Sequence, residues 1–97
     1  MEYIRGELQS NFDKPLKETW EATQAAMEGA GFTIKSRRAD SFSAVLKAED
    51  AQARTIEITL ENIGEFLTLV RIRVGLLGDA EFSKQLLDSI ESKLNRI

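Results

Sequence analysis

Between Thr55 and Val74 the chain alternates so regularly that a β-hairpin is the simplest structure that fits it. Ile56, Ile58 and Leu60 fall on one side, with Thr55, Glu57, Thr59 and Glu61 on the other. That is the period-two pattern of a strand with one buried and one wet face. Asn62-Ile63-Gly64-Glu65 supplies turn chemistry, and Phe66 to Val74 follows as a strand rich in branched and apolar residues. Setting Ile58 opposite Val70 and Ile56 opposite Ile72 brings Glu57 against Arg71, an opposite-charge pair that favours this register.

The rest of the chain arranges itself around that hairpin. Tyr3 to Gln9 alternates as a first strand, with Ile4, Gly6 and Leu8 opposed to Tyr3, Arg5, Glu7 and Gln9. Asp13 and Pro15 read as a helix start. Leu16, Trp20, Thr23, Met27 and Ala30 then recur at helical spacing along one stripe. Gly31 is placed to end this helix in a left-handed conformation, with Phe32 folding back on Met27 as in a Schellman cap. Alternation resumes from Phe32 to Arg37 and, after the polar turn Arg38 to Ser41, from Phe42 to Glu49. Past the hairpin, Gly75-Leu76-Leu77-Gly78 breaks the strand and Asp79 caps a last helix. Its apolar face is Phe82, Leu86, Leu87, Ile90, Leu94 and Ile97, with Glu81 near its start and Lys93 and Arg96 near its end.

The order strand, helix, four strands, helix predicts an α+β fold of two layers, a five-stranded antiparallel sheet with both helices on one face. The first strand is expected beside the fifth, the middle strands in a meander and the second at the far edge. The chain of 97 residues, 42% hydrophobic and 30% charged, has the profile of one packed domain over 1–97.

Composition narrows the chemistry. The formal charge of -3 opposes phosphate backbones and anionic lipid, so nucleic acid is not an expected partner. With no Cys and no His, the chain lacks thiolate sites, the commonest zinc ligand and the commonest general base. No apolar run approaches the roughly 20 residues of a membrane span, and the first ten residues lack the apolar centre of a signal peptide. An enzyme, a metal site and a cofactor are therefore not expected.

The order of elements is similar to one half of a TATA-box-binding-protein-like fold, where such a sheet offers its open face to a partner. Three stretches, Ile4-Arg5-Gly6-Glu7-Leu8, Trp20-Glu21-Ala22-Thr23 and Ile72-Arg73-Val74-Gly75-Leu76-Leu77-Gly78-Asp79, resemble a family of small bacterial lipoproteins of unknown function. The last stretch, followed by an amphipathic helix, is the most specific of them. The resemblance covers nearly the whole chain and implies the periplasmic side of the cell envelope, with a cytoplasmic location as the alternative. It also implies a lipidated cysteine ahead of the first strand, which this sequence does not contain, so Met1 is expected to be a start introduced by cloning. The resemblance implies no site residue.

The candidate site is the face of the sheet away from the helices. It is expected to carry Tyr3, Arg5, Val45, Lys47, Leu67, Leu69, Arg71 and Arg73, more apolar and cationic surface than a solvated sheet requires. The bland reading shields Leu67 and Leu69 with Arg stems and balances Arg71 with Glu57. Gly75-Leu76-Leu77-Gly78 lacks the Gly-Lys-Ser/Thr of a phosphate loop and reads as a structural turn, with Leu76 and Leu77 plugging the sheet end. Trp20 reads as core, Lys35, Arg37 and Arg38 as a solvated cluster, and Glu18, Glu21, Glu57 and Glu61 as solvent-facing carboxylates. The function expected is a protein-association domain, self-association included, with a carrier or sensor of a small apolar molecule as the alternative.

Overall fold

The computed structural model describes residues 1–95. The chain forms β1 (Glu2–Ile4), β2 (Glu7–Phe12), α1 (Leu16–Gly29), β3 (Thr33–Ala39), β4 (Ser43–Glu49), β5 (Thr55–Gly64), β6 (Leu67–Val74) and α2 (Ala80–Leu94). The strands make one antiparallel sheet in the order β1-β2-β6-β5-β4-β3. The expected architecture holds in outline, an open antiparallel sheet with two helices. The sheet has six strands, however, and not five.

The extra strand comes from a turn hidden inside an alternating run. Arg5 and Gly6 both take positive φ, 54° and 81°. That is the backbone of a two-residue hairpin turn whose twist matches the flanking strands. Ile4 pairs with Glu7, and Tyr3 with Leu8. Residues paired across a ladder share a face, so Tyr3 joins Leu8 on the helix side and Ile4 joins Glu7 on the open side. This reverses the faces expected of a single strand.

The central hairpin is shifted too. Ile58 pairs with Ile72, Ile56 with Val74 and Glu57 with Arg73. The expected register was two residues off because β5 runs on to Gly64, with an irregularity at Asn62/Gly64, and the turn is Glu65-Phe66. A shift of two keeps every side chain on its face, so the predicted core survives the error. β2 lies beside β6, and β3 is the far edge, as expected.

Leu46, Ile56, Ile58, Leu60, Val70 and Ile72 are fully buried beneath Met27 of α1 and Ile90 of α2. Burying a side chain of this size is worth about 1.5–3 kcal/mol. α1 is set slightly differently from its predicted stripe. Thr19, Ala22, Thr23, Ala26 and Met27 are buried, Trp20 is partly buried against the core and Ala30 is exposed. Its N-cap is Pro15 without a side-chain bond, so Asp13 does not cap it. Its other end is the predicted Schellman cap: Phe32 N–H donates to Met27 O at 3.3 Å and Gly31 N–H to Glu28 O at 3.1 Å. Phe32 then meets Phe82 of α2 edge-to-face, centroids 6.0 Å apart. α2 carries its predicted cap, Asp79 accepting from Phe82 N–H at 3.0 Å. Leu86, Leu87, Ile90 and Leu94 are buried, while Ile97 and Arg96 lie outside the described residues.

Candidate functional site

The open face is a grid fixed by register. One row runs Glu2, Gln9, Arg71, Thr59, Val45 and Arg38, and the next runs Ile4, Glu7, Arg73, Glu57, Lys47 and Ser36. Leu69 stands between Asn11 and Glu61, and Leu67 shares its face one step along β6. Val45, Leu67, Leu69, Arg71 and Arg73 are half-buried and Lys47 is exposed. These six of the eight expected residues come together. Arg5 belongs to the β1–β2 turn, and Tyr3 has moved to the helix side, for the parity reason given above.

Two residues of this face escaped sequence reasoning. Ile4 is 45% exposed at the β1 end, and Arg38 is exposed opposite Val45. The only signal for Ile4 was the Arg5-Gly6 pair, a weaker turn signature than Asn-Gly or Asp-Gly.

Charge on the face is largely paired. Arg71 Nη2 lies 3.2 Å from Glu61 Oε1, Lys47 Nζ 3.7 Å from Glu57 and Lys35 Nζ 3.8 Å from Glu49. Glu57, expected against Arg71, is thus turned to Lys47. Arg73 donates instead to the carbonyl of Arg5 at 3.0 Å, tying β6 to the β1–β2 turn. The expected basic cluster is dispersed: Arg37 crosses to α1, donating to Gln24 at 2.7 Å and approaching Glu28 at 3.7 Å. These pairs are half exposed, and each contributes about 0–1 kcal/mol. They set a pattern of charge more than they hold the sheet.

The depressions on the molecule are open and rimmed by charged side chains. One of about 250 Å³ lies on the open face over Ser36, Arg38, Val45, Lys47 and Glu57. Another of about 350 Å³ adjoins Arg38, Asp40 and Val45. A third of about 410 Å³ lies where Ala26, Gly29 and Ala30 face Asp88, Ser92 and Lys93.

The strongest ionic cluster lies off the open face. Asp50 Oδ1 accepts from the amides of Gln52 and Arg54, both at 2.9 Å, and its Oδ2 from Arg54 Nε at 2.7 Å. Arg54 also reaches Asp79 at 3.1 Å, and its guanidinium lies 4.6 Å from the centre of the Phe82 ring. Burial of the Asp50 carboxylate pushes its pKa up, but the Arg54 amide and guanidinium and the Gln52 amide together outweigh this and hold it below the ordinary 3.8. Asp40 is held below 3.8 as well, by the amides of Phe42 and then Ser43. Both carboxylates are committed to their own turns. Ser83 is fully buried, its hydroxyl without a partner among the described residues, and therefore closed to a substrate.

Leu76 and Leu77 do not plug the sheet end. They are 92% and 88% exposed, at the tip of the β6–α2 loop. Gly75 and Gly78, at φ 71° and 84°, turn the backbone so tightly that the side chains between them face outward. Among the described residues, no helix is long and apolar enough to cross a membrane and no group of three His, Cys, Asp or Glu could hold a metal ion.

No curated protein matches this chain. A family model described as a protein of unknown function, DUF3568, matches residues 1–93, and the chain belongs to that uncharacterised family.

Proposed function

We propose that this chain is a non-catalytic association domain of the cell envelope that docks protein, a second copy of itself first of all, on the open face of its sheet. The observation that carries the reading is the grid itself. Ile4, Val45, Leu67 and Leu69 stand half-covered among Arg71 and Lys47 with their carboxylate partners and Arg73, which bonds the Arg5 carbonyl, and among the described residues no helix lies over them. Alternating charge around small apolar islands favours a partner of complementary pattern, which sets register and rejects wrong partners. Two copies related by a twofold axis would satisfy this with one surface. An open sheet face is also what the TATA-box-binding-protein-like arrangement presents to its partner, an analogy of topology alone.

The envelope location rests on the lipoprotein-like stretches, above all Ile72 to Asp79. In the natural protein a lipid on a cysteine ahead of β1 would tether the domain.

Light scattering coupled to size exclusion, over a concentration series, tests the docking face. The mass of the wild type is expected to rise with concentration. Leu67→Asp combined with Leu69→Asp should abolish the rise and leave the far-UV circular dichroism unchanged. A wild type that stays monomeric throughout, or a variant that associates as the wild type does, would sink self-association on this face.

A further inference from the structure

We propose that the Leu76-Leu77 tip is a lipid-insertion point that seats this end of the domain in the interface of a bilayer. The inference does not depend on self-association through the open sheet face or on any covalent anchor. Two adjacent leucines, 92% and 88% exposed, are held on a short turn between φ-positive glycines. Isolated exposed leucines are ordinary, but here two consecutive ones form a convex apolar point. A convex point of two side chains suits a fluid partner, which needs no matching concavity.

The surroundings of the tip fit a headgroup layer. The β1–β2 turn is pressed against the loop: a Cβ on Gly78 would meet Gly6 and Tyr3 Oη, each at 2.5 Å. Tyr3, Ile4 and Arg5, all exposed, therefore stand beside the leucines. Tyrosine and arginine at the rim of an apolar point are the side chains that anchor at the boundary between headgroups and acyl chains. Arg73 adds a second cation at Arg5. Of the carboxylates nearest the tip, Asp79 is engaged by Arg54 and Glu7 by Gln9 at 3.1 Å, while Glu81 is exposed in the first turn of α2. Because the turn is braced by the Gly6–Gly78 contact, insertion would require little new ordering.

The opposite end of the sheet is the natural comparison. Phe42 and Phe66 are 74% and 63% exposed there, and the Phe42 carbonyl accepts from Asn62 N–H at 2.8 Å. Those rings share their turns with Asp40 and Glu65, both exposed. Immersing that end would strip water from two carboxylates in the turns themselves, whereas at the leucine tip Asp79 keeps its Arg54 partner and Glu81 lies within α2 and not in the turn.

Flotation with lipid vesicles tests the proposal on the full chain. The wild type should float with vesicles of mixed phosphatidylethanolamine and phosphatidylglycerol, and more weakly with phosphatidylcholine alone. Leu76→Ser with Leu77→Ser should lower the partition coefficient about tenfold or more, with unchanged circular dichroism, and Phe42→Ser with Phe66→Ser should leave it unchanged. Since the chain has no native Cys, Leu77→Cys carrying an environment-sensitive dye gives a unique label, and its emission should shift to the blue on vesicles. Failure of the wild type to float, an unshifted label, or loss of binding with the phenylalanine pair and not the leucine pair would overturn it. So would vesicle-free association that disappears in the leucine variant while no flotation is seen, which would assign the tip to a protein partner.

Discussion

At Gly78 two distant segments meet with no space for a side chain, and the contact separates two costs that usually come together. Its φ is +84°, and a Cβ there would lie 2.5 Å from the Cα and the carbonyl oxygen of Gly6. Gly75 has a similar backbone, φ +71°, with nothing within 4 Å of the same construction. Gly75→Ala therefore costs only the left-handed backbone, about 1–2 kcal/mol. Gly78→Ala adds displacement of packed backbone, about another 1–3 kcal/mol. Urea unfolding should rank the variants in that order, and equal losses would mean that the hairpin does not rest on the loop. In the sequence the two glycines read alike, as punctuation after a strand. The difference lies in a contact across some seventy residues that no local pattern encodes. The same blindness explains the leucines between them. Apolar residues at a sheet end are expected to turn inward, and only the positions of Gly6 and Gly78 show that the inward space is already taken by backbone.

The β4–β5 loop is joined to α2 through Arg54, which Asp50 holds in place, and this junction makes part of the stability depend on pH. The side chain of Asp50 is 3% exposed and accepts from two amides and Arg54, which in turn bonds Asp79, the cap of α2. Its pKa is depressed in the folded protein, so the stabilisation is fully present above the ordinary value near 3.8 and is lost as pH falls through the folded value. Asp50→Asn keeps an oxygen for the amides but discards the charge. It should be less stable than the wild type at neutral pH, and the gap in Tm should close as pH drops well below 3.8. Asp40, also depressed, loses its contribution in both proteins and cancels in the comparison. A gap independent of pH would contradict the ionic role. Of this junction only the Asp79 cap was legible, because a cap is a local event written into adjacent residues. The run Glu49 to Gln52 carries no periodic pattern, and the Asp50–Arg54 pair depends on how that segment folds back, with Ala53 at φ 62°. The hairpin register failed in the same way: the faces of β5 and β6 were readable from alternation, whereas the exact opposition turned on the irregularity near Ile63.

For the whole molecule the sheet order was recoverable because it follows from few constraints. A helix had to return the chain across the sheet, and β2 beside β6 with β3 outermost is the simple way to do it. The open face was recoverable for the same reason, apart from the β1 edge, where a turn with no strong signature reversed the parity. That edge is also the weakest part of the fold. β1 spans Glu2–Ile4, with every residue exposed, whereas β5 and β6 are flanked on both sides and supply Ile56, Ile58, Leu60, Val70 and Ile72 at no exposure. Amides of the central strands can exchange with solvent only when the core opens, while those of β1 need only lose one neighbour. Native-state hydrogen exchange should accordingly give Ile58 and Ile72 opening free energies equal to that of global unfolding, and β1 amides values far below it. Arg73→Gln, which removes the cation that bonds the Arg5 carbonyl, should lower β1 protection further without moving the core. If β1 instead exchanged as slowly as β6, the hairpin would be an integral part of the cooperative unit. The Leu76-Leu77 tip, braced on that hairpin through Gly6 and Gly78, would then be held as firmly as the core before it meets a surface.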